Sequence, residues 1–324
     1  MPERAPDRAR SRRPRRAASA PAAEVSCSDP AAPAGAAIPP RPADARRESS
    51  PGTTGPTTTG PTTTGPTTTG PTTTGPTTTG AAIAGAQRDA TALTLLTRGT
   101  LEVEGRLVVA SNATLYCTVR DGDREAHCVY KPVAGERPLW DFPAGSLAGR
   151  EVAAYHVSVA AGWHLVPPTV YRDGPFGPGM CQLWIDSDET VDVIALARSQ
   201  DNLALRCMAV FDAVVNNADR KIGHLLPDRQ GNLFGCDHGV CFSEDYKLRT
   251  VLWQWRGRKL PVTAVDALRR LQRALTDGDL GAELGKWLSP GEVEATRQRV
   301  ELLLQHRVHP FPPEDWPAVP WPPV

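Results

Sequence analysis

The stretch VVNNADRKIGH, residues 214–224, ends an apolar run and carries an isolated aspartate, Asp219, followed by two basic residues. The stretch FGCDHGVCF, residues 234–242, carries a second isolated aspartate, Asp237. The residues between them have the pattern of two short strands joined by a Gln-Gly turn, which predicts a hairpin. Because a hairpin folds the chain back on itself, both carboxylates can converge on one cleft. Two neighbouring carboxylates repel unless a cation lies between them, so magnesium is expected there once the fold brings the two aspartates together.

Strand patterns dominate the part of the chain that precedes this stretch. Residues 100–133 alternate apolar and polar side chains, which predicts an antiparallel meander of about three strands. The Ala-rich segment 146–162 has apolar residues at helical spacing and predicts a helix. Two further strands are predicted over 165–174 and 179–188, and an amphipathic helix over 202–218.

Helical patterns dominate the part that follows, over 261–275 and 289–307. Ser289 and Glu292 have the spacing of a capping box at the start of the last helix. The order of strands, helix, strands and helices predicts an α+β fold of the bilobal, protein-kinase-like type, with a small β-rich N-lobe containing one helix and a mainly helical C-lobe. The Pro/Trp-rich end, 311–324, is expected to be extended and to pack loosely or not at all.

The chain of 324 residues is uneven in composition. Large apolar side chains are nearly absent from the beginning of the chain, which also contains five copies of Pro-Thr-Thr-Thr-Gly over residues 56–80. Such a segment buries too little apolar surface to offset the entropy of ordering it. We therefore predict a disordered low-complexity tail over 1–90, an N-lobe over 91–186, a C-lobe over 187–310 and a C-terminal extension over 311–324.

Charge and cysteine content exclude several classes of protein. Up to residue 90 the chain has 11 Arg and 7 acidic residues, whereas the remainder has 25 basic and 29 acidic residues. A slightly acidic domain argues against nucleic acid as the main partner. The seven cysteines contain no C-x-x-C pair, which indicates reduced thiols in a cytoplasmic protein rather than disulfides or a zinc site. Neither a secretory signal nor a transmembrane segment is expected.

Phosphoryl transfer from ATP needs few protein groups. A strand Lys holds the phosphates, a helix Glu holds that Lys, one Asp positions the acceptor hydroxyl and a second Asp binds magnesium. The chain has a candidate for each in the expected order: Lys131 in VYKP, Glu151 in the Ala-rich helix, Asp219 and Asp237. Taken alone, each aspartate is typical of a turn or a helix cap, so their order and spacing carry the prediction.

These motifs resemble those of phosphatidylinositol 3-/4-kinase-like proteins. FDAVVNNADRKIGH resembles their catalytic loop, D-R-[HK]-x-x-N after a helix end that contains Asn, and FGCDHGVCF resembles their D-x-G metal loop. VYKP and GREVAAY resemble their Lys and helix-Glu elements. Through ERPLWDFPAGSLAGREVAAY the chain is most similar to an uncharacterised bacterial group within that superfamily, and HipA-type Ser/Thr kinases are a more distant resemblance. The resemblance covers residues 93–308.

The resemblance implies roles for individual residues. Asp219 would be the base that orients the acceptor, and Asp237 the principal magnesium ligand. Lys131 would hold the α- and β-phosphates while paired with Glu151. The residues SNAT would cover the phosphates in place of a glycine loop, and QLWI would form the hinge beside adenine. The implied nucleotide-binding set is Ser111, Asn112, Thr114, Lys131, Gln182, Leu183 and Trp184.

One position departs from the family pattern. The Asn expected five residues after Asp219 is His224. Imidazole nitrogen is a poorer ligand for magnesium than an amide oxygen and suits zinc or manganese better. Three alternatives follow: His224 joins Asp237 in the metal site, one metal site is lost, or another residue supplies the oxygen.

The predicted function is an ATP-dependent phosphotransferase that uses Mg²⁺, with Mn²⁺ as an alternative. Its acceptor would be a hydroxyl of a protein Ser/Thr or a small molecule rather than a lipid, because no basic amphipathic membrane helix is visible. The alternative is a nucleotide-binding pseudokinase that acts as a scaffold, suggested by His224 and by the lack of a glycine-rich loop. An aminoglycoside-type kinase is a weaker option, since its His-Gly-Asp loop pattern is missing. Lys247 and Arg249 fit an anionic substrate and plain surface charge equally well.

Overall fold

The computed structural model describes residues 89–107 and 112–324. The predicted disordered tail, up to residue 88, and Ser111 lie outside these described residues.

An antiparallel sheet of five strands forms the smaller lobe, in the order β1-β2-β3-β5-β4. Its strands contain the alternating apolar residues that the sequence pattern indicated. The strands are β1 (Thr100–Arg106), β2 (Leu115–Asp121), β3 (Arg124–Pro132), β4 (Thr169–Gly174) and β5 (Gly177–Leu183).

The two faces of the sheet are covered by different helices. Successive side chains along a strand point to opposite faces, so Tyr130 and Lys131 face different helices. Tyr130 packs in a cluster with helix α1, described over 89–98. On the other face, Met180 packs against helix α2 (Leu147–Ala160). Lys131 therefore points toward α2, which positions it for the site described below.

The larger lobe is mainly helical and is organised around a buried helix, α4 (Leu203–Val215). Every residue of α4 from Cys207 to Val215 is buried, because the helix packs against α2, α5 and α7 and supports a short hairpin. The remaining elements are α3 (Val193–Ala197), β6 (Leu225–Pro227), β7 (Leu233–Gly235), α5 (Val262–Thr276), α6 (Leu280–Leu284) and α7 (Pro290–His306).

This architecture confirms the predicted α+β bilobal fold, with an antiparallel sheet in the N-lobe and helices in the C-lobe. Local signals are confirmed as well. The Ser289 hydroxyl accepts a hydrogen bond from the Glu292 N–H, and the Glu292 carboxylate accepts one from the Ser289 N–H. Gly231 has a positive φ of 82° at the tip of the β6–β7 hairpin, as the Gln-Gly turn requires. The predicted boundaries between tail, lobes and extension stay predictions.

The helix predicted over 202–218 is shorter than expected. It ends at Val215, and Asn216 has a left-handed backbone with φ of 50°. The Asn216 side-chain amide donates to the carbonyls of Ser243 and Asp245, which compensates for leaving the helix. Asn tolerates this conformation better than most residues, so the chain turns at Asn216 and the next residues enter a loop.

The prediction that 311–324 packs loosely or not at all is wrong. The Ala318 carbonyl accepts a hydrogen bond of 3.1 Å from the Thr250 N–H, and the Pro323 carbonyl accepts one of 2.9 Å from the Ile222 N–H. Prolines keep this segment extended, and an extended backbone leaves its carbonyls available to outside donors. The C-terminal segment is thus attached to the C-lobe beside the loop that carries Asp219.

Among the helices of the described residues, none has the length and apolar character needed to cross a membrane.

Gly179 lies where strands β3 and β5 approach each other closely beside Lys131. A Cβ at this position would lie 2.4 Å from the Lys131 carbonyl oxygen and 2.7 Å from the Pro132 Cα. We expect Gly179→Ala to separate β3 from β5 and to lower the free energy of unfolding by about 1–3 kcal/mol. Denaturant unfolding measures this change.

Gly281→Ala is the matched control for that experiment. The nearest atom to a Cβ there is a carbonyl oxygen at 3.6 Å, so the substitution causes no clash. We expect the free energy of unfolding to stay the same or to rise by up to about 1 kcal/mol. Equal effects of the two substitutions would contradict the close approach of β3 and β5.

Candidate active site

Lys131 lies between two carboxylates that come from distant parts of the chain. Its Nζ is 2.7 Å from Glu151 Oε1 and 2.8 Å from Asp237 Oδ1. Burial disfavours the ammonium ion, but the two carboxylates outweigh burial and raise the pKa of Lys131 above its ordinary value. The lysine is therefore positively charged throughout the neutral pH range and joins β3, α2 and the loop at Asp237.

Glu151 uses both of its oxygens. Oε1 accepts from Lys131, and Oε2 accepts a hydrogen bond of 2.8 Å from the His238 backbone N–H. Its side chain is 2% exposed, and burial raises its pKa while the Lys131 charge opposes that rise. Glu151 thus fixes the lysine and the chain just after Asp237 at the same time.

Asp237 is presented by a left-handed backbone, with φ of 62°. This conformation is uncommon for a residue other than Gly, and such positions are concentrated at functional sites. The Lys131 charge lowers the pKa of Asp237 well below its usual range. The Asp237 side chain is 47% exposed, so its ionised carboxylate is accessible to a ligand, whereas that of Glu151 is buried.

A cavity opens beside these three charged groups. Its lining combines one cation, carboxylates and an apolar helix end. The lining residues are Asn112, Lys131, Pro132, Glu136, Leu147, Ala148, Glu151, Asp237 and Gly239. The Glu136 carboxylate accepts hydrogen bonds from the Leu147 and Ala148 N–H groups, so it occupies the first turn of α2.

Asp219 follows α4 in the loop that the two asparagines begin. Its backbone N–H donates to Asn217 Oδ1 at 2.9 Å, and its carboxylate lies 3.1 Å from Lys221 Nζ and 3.7 Å from Arg249 Nη2. Burial raises the pKa of Asp219, Lys221 opposes this shift, and the Asp237 carboxylate adds to it. The Asp219 carboxylate does not line the cavity described above, so its convergence with Asp237 stays a prediction.

Arg220 contacts both the helix that precedes the Asp219 loop and the loop that carries Asp237. Its guanidinium forms a fully buried ion pair with Asp212 of α4, with Nη2 2.9 Å from Oδ1. Nη1 donates to the Cys236 carbonyl at 3.1 Å, and Nη2 donates to His238 Nε2 at 2.6 Å. One side chain thus bonds the residues on both sides of Asp237 to the helix that precedes Asp219.

His238 has a defined tautomer because of this contact. A guanidinium can only donate, so Nε2 of His238 accepts and Nδ1 carries the proton. Burial lowers the pKa of His238 well below its ordinary value, which keeps the ring neutral. Its Nδ1 lies 4.0 Å from Glu151 and makes no hydrogen bond within the described residues.

His224 lies next to Asp237. Its Nε2 is 3.4 Å from Asp237 Oδ2, and its Nδ1 lies 3.5 Å from the Lys221 N–H. Burial lowers the pKa of His224 to about 4, although the Asp237 carboxylate opposes that shift. The ring is therefore neutral near pH 7, and because Nδ1 faces a donor, Nε2 carries the proton and is directed at the Asp237 carboxylate.

Other predicted site residues have different surroundings. Asn112 lines the cavity, whereas Thr114 is buried and lies outside the lining. The Gln182 amide is buried and donates to Thr169. The N–H groups of Leu183 and Trp184 already donate to backbone carbonyls of the protein. The structure thus brings the charged set together, and the predicted adenine contacts stay predictions.

Sequence reasoning overlooked Asp212 and the structural role of Arg220. A signal was present, because Asp212 interrupts the apolar run MAVFDAVV at a core position. A lone charge in the core requires a buried partner. Sequence analysis left Lys247 open between an anionic substrate and plain surface charge, whereas its ammonium pairs with Asp141 and the residue is nearly buried.

Within the described ranges, no group of three or more His, Cys, Asp or Glu is arranged to hold a metal ion by protein ligands alone.

The fold and the site define a bilobal α+β protein in which a strand lysine, a helix glutamate and a loop aspartate meet at one cavity. No family model matches the chain. Protein Rv2133c of Mycobacterium tuberculosis is 44% identical over 262 residues, which cover 70% of this chain and 94% of that protein. The chain belongs to the same family as Rv2133c.

Solved structures show weaker likenesses. The Golgi casein kinase with Mn/ADP bound has a TM-score of 0.48 at 14% identity, covering 68% of this chain and 75% of that chain. Hydra Fam20 with sugar has a TM-score of 0.43 at 14% identity, covering 66% and 86%. The Helicobacter pylori proinflammatory kinase CtkA has a TM-score of 0.41 at 12% identity, covering 66% and 94%. At these values the likenesses carry no conclusion about this chain.

The buried ion pair can be tested by removing one partner and then both. Asp212→Asn leaves the Arg220 charge buried without its carboxylate, and we expect it to lower the free energy of unfolding by about 3–5 kcal/mol. The double variant Asp212→Leu/Arg220→Met removes both charges and should recover part of that loss. Denaturant unfolding of the unaltered protein, the single variant and the double variant measures the loss and its recovery.

The control is a pair on the surface. Asp266 and Arg269 form an ion pair at 2.9 Å with side chains about half exposed, so Asp266→Asn should change the free energy of unfolding by less than about 1 kcal/mol. A loss as small as this for Asp212→Asn would rule out the central role of the buried pair.

Proposed function

We propose that this protein is an ATP-dependent phosphotransferase of the type that phosphatidylinositol 3-/4-kinase-like proteins represent. The observation that supports the proposal most is the contact of Lys131 with both Glu151 and Asp237, at 2.7 and 2.8 Å. Phosphoryl transfer depends on positioning and charge stabilisation, and it uses a strand lysine paired with a helix glutamate beside a metal-binding aspartate. Asp219, in the loop that follows α4, supports transfer to a hydroxyl.

The cavity chemistry fits a nucleotide phosphate. Lys131 is a permanent cation at its wall, and Asp237 is an exposed carboxylate at its mouth. Lys131 would hold phosphate oxygens, and Glu151 would keep the ammonium in place. The Gly239 backbone is close to Leu147, where a Cβ would lie 3.3 Å from the Leu147 Cβ, so the loop after Asp237 approaches α2 closely.

A divalent cation is the cofactor that the donor set suggests. Asp237 supplies a hard oxygen, and neutral His224 would supply Nε2 in the tautomer that carries its proton on Nδ1, which replaces the weak 3.5 Å contact of Nδ1 with the Lys221 N–H. This favours the first of the three alternatives, in which His224 joins the metal site. Because imidazole suits softer ions than magnesium, we propose that Mn²⁺ supports the reaction better than Mg²⁺. The cation would neutralise phosphate charge during transfer.

Asp219 is the residue proposed to position the acceptor. Its raised pKa makes it a better proton acceptor than an ordinary aspartate, and Lys221 and Arg249 hold its carboxylate in place. We propose that Asp219 accepts the proton of a hydroxyl of a protein Ser/Thr or a small molecule. The cytoplasmic location inferred from the sequence is part of the same proposal.

A pseudokinase scaffold is the second candidate, and one observation favours it. His224 replaces the amide that is expected in the metal site. A protein of this kind would bind nucleotide without transferring phosphate. Incubation with γ-labelled ATP separates the two, since hydrolysis or autophosphorylation with Mg²⁺ or Mn²⁺ occurs only in the enzyme.

We expect two aspartate variants to fail in different ways. Asp219→Asn should reduce phosphotransfer by a factor of about 100 to 10,000 while nucleotide binding persists, because it removes only the proton acceptor. Asp237→Asn should also lose the stabilisation against unfolding that Mn²⁺ and nucleotide together give the unaltered protein. Labelled-phosphate transfer and the shift of the melting temperature with Mn·ADP measure the two effects.

Binding of nucleotide without turnover by the unaltered protein, with either ion, would support the scaffold. Transfer by Asp219→Asn at the unaltered rate would exclude Asp219 as the proton acceptor.

His224→Asn should change the preference between metal ions. Replacing the imidazole by an amide oxygen restores a hard ligand, so we expect the ratio of Mg²⁺- to Mn²⁺-supported activity to rise by about tenfold or more. Initial rates across a range of each ion measure the ratio. His306→Asn, on the C-terminal turn of α7, is the control and should leave it unchanged. An unchanged ratio in His224→Asn would remove His224 from the metal site.

A further inference from the structure

Lys247 lies in the segment that follows Asp237, and its ammonium group is enclosed on several sides. Its Nζ is 3.0 Å from Asp141 Oδ2. The same Nζ lies 5.1 Å from the Trp140 ring centroid and 5.2 Å from that of Trp316. A third ring, Phe142, is 5.9 Å away. A cation over aromatic faces and beside a carboxylate is held by both interactions.

The groups around Lys247 come from two regions that are far apart in the sequence. Trp140, Asp141 and Phe142 belong to the β3–α2 connection, 133–146, whereas Trp316 belongs to the C-terminal segment. The rings of Trp140 and Trp316 are themselves 6.2 Å apart. Lys247 is 7% exposed although it is a lysine, so its ammonium is committed to this contact rather than to solvent.

The backbone of Lys247 is fixed to the start of the Asp219 loop. Its N–H donates to Asn216 Oδ1 at 3.0 Å, and Asn216 is the residue that ends α4. Two residues later, the Arg249 N–H donates to the Asn217 carbonyl at 2.9 Å. The Lys247 side chain therefore extends from the base of the Asp219 loop to the β3–α2 connection.

The C-terminal segment meets the same loop from its other side. The Pro323 carbonyl accepts from Ile222, which lies between Asp219 and His224. The Ala318 carbonyl accepts from the Thr250 N–H and, at 2.7 Å, from the Trp253 indole N–H. Trp316 is thus the point at which this segment reaches Lys247.

The β3–α2 connection in turn controls two groups of the site. It begins directly after Lys131 and Pro132 and ends at α2, which carries Glu151. Its Glu136 carboxylate accepts hydrogen bonds from the first N–H groups of α2. A contact that fixes this connection therefore restrains the distance between the strand lysine and the aspartate loop.

We propose that Lys247 is a positioning residue for phosphotransfer, which joins the β3–α2 connection and the C-terminal segment to the Asp219 loop through Asp141, Trp140 and Trp316. The proposal rests on the function proposed above. Lys247 touches no reacting group, so its effect passes through the placement of Asp219 relative to Lys131. Loss of the contact should lower the rate of the bound complex more than the affinity for nucleotide.

The test uses the full chain with Lys247→Met, which keeps the stem and removes the charge, and Lys247→Arg, which keeps the charge. We expect Lys247→Met to lower kcat by about tenfold with the KM for ATP changed by less than threefold, and Lys247→Arg to recover most of kcat. Lys286→Met is the control, because Lys286 is an exposed lysine paired with Glu283 on the surface. It should leave both constants unchanged.

A second measurement does not depend on activity. Hydrogen exchange of the Ile222 and Thr250 amides, which donate to the C-terminal segment, should become at least tenfold faster in Lys247→Met and in Trp316→Ala. Amides in the middle of α4 should keep their exchange rates. Asp141→Asn removes the carboxylate at constant volume and should reproduce both effects if Lys247→Met fails to fold.

The outcomes separate the two proposals. Faster exchange at Ile222 and Thr250 in a protein that transfers no phosphate supports the contact and rejects the proposed enzyme. Unchanged exchange at both amides, or equal loss of kcat in Lys247→Met and Lys247→Arg, overturns the role of Lys247. Exchange that becomes faster at all amides, including those in the middle of α4, also overturns it, because Lys247 would then contribute only to the stability of the whole fold.

Discussion

The buried ion pair between Asp212 and Arg220 is the interaction on which the geometry of the cleft depends. Both side chains are fully removed from solvent, so each charge is tolerable only because the other is present. The arginine has further donors, and they reach the Cys236 carbonyl and the His238 ring. A single desolvated cation therefore sets the path of the chain on both sides of Asp237. The loop at Asp219 and the loop at Asp237 are consequently not independent turns, since they share one buried partner.

Much of the fold was predictable because its signals are local. Alternation over 100–133 gave the meander, and the capping box at Ser289 marked the last helix. Two features were misjudged for physical reasons. The helix before Asp219 stops early because the Asn216 side chain bonds carbonyls near residue 244, a contact made only after the chain has folded. The C-terminal segment packs because Thr250 and Ile222 supply donors for its carbonyls, which composition alone does not reveal.

The site shows the same division between local and distant information. Order and spacing pointed to Lys131, Glu151, Asp219 and Asp237, and the structure brings Lys131, Glu151 and Asp237 into direct contact at one cavity. The environment of each group was not predictable from spacing. That Lys131 contacts both carboxylates, that His224 is neutral beside Asp237, and that Lys247 is enclosed all depend on residues more than ten positions away. Sequence patterns thus indicated which groups meet, whereas their charge states required the tertiary contacts.

Arg150, one residue before Glu151, limits how the two lobes can move. Its Nη1 donates to the Cys241 carbonyl at 2.7 Å and its Nη2 pairs with Glu292 of α7 at 2.5 Å, while its side chain is 1% exposed. These two contacts attach helix α2 to the C-lobe, although α2 also packs against the sheet of the N-lobe. A movement of α2 relative to the C-lobe would break the buried ion pair between Arg150 and Glu292. Any change in the cleft that keeps this ion pair intact leaves α2, and with it Glu151, attached to the C-lobe.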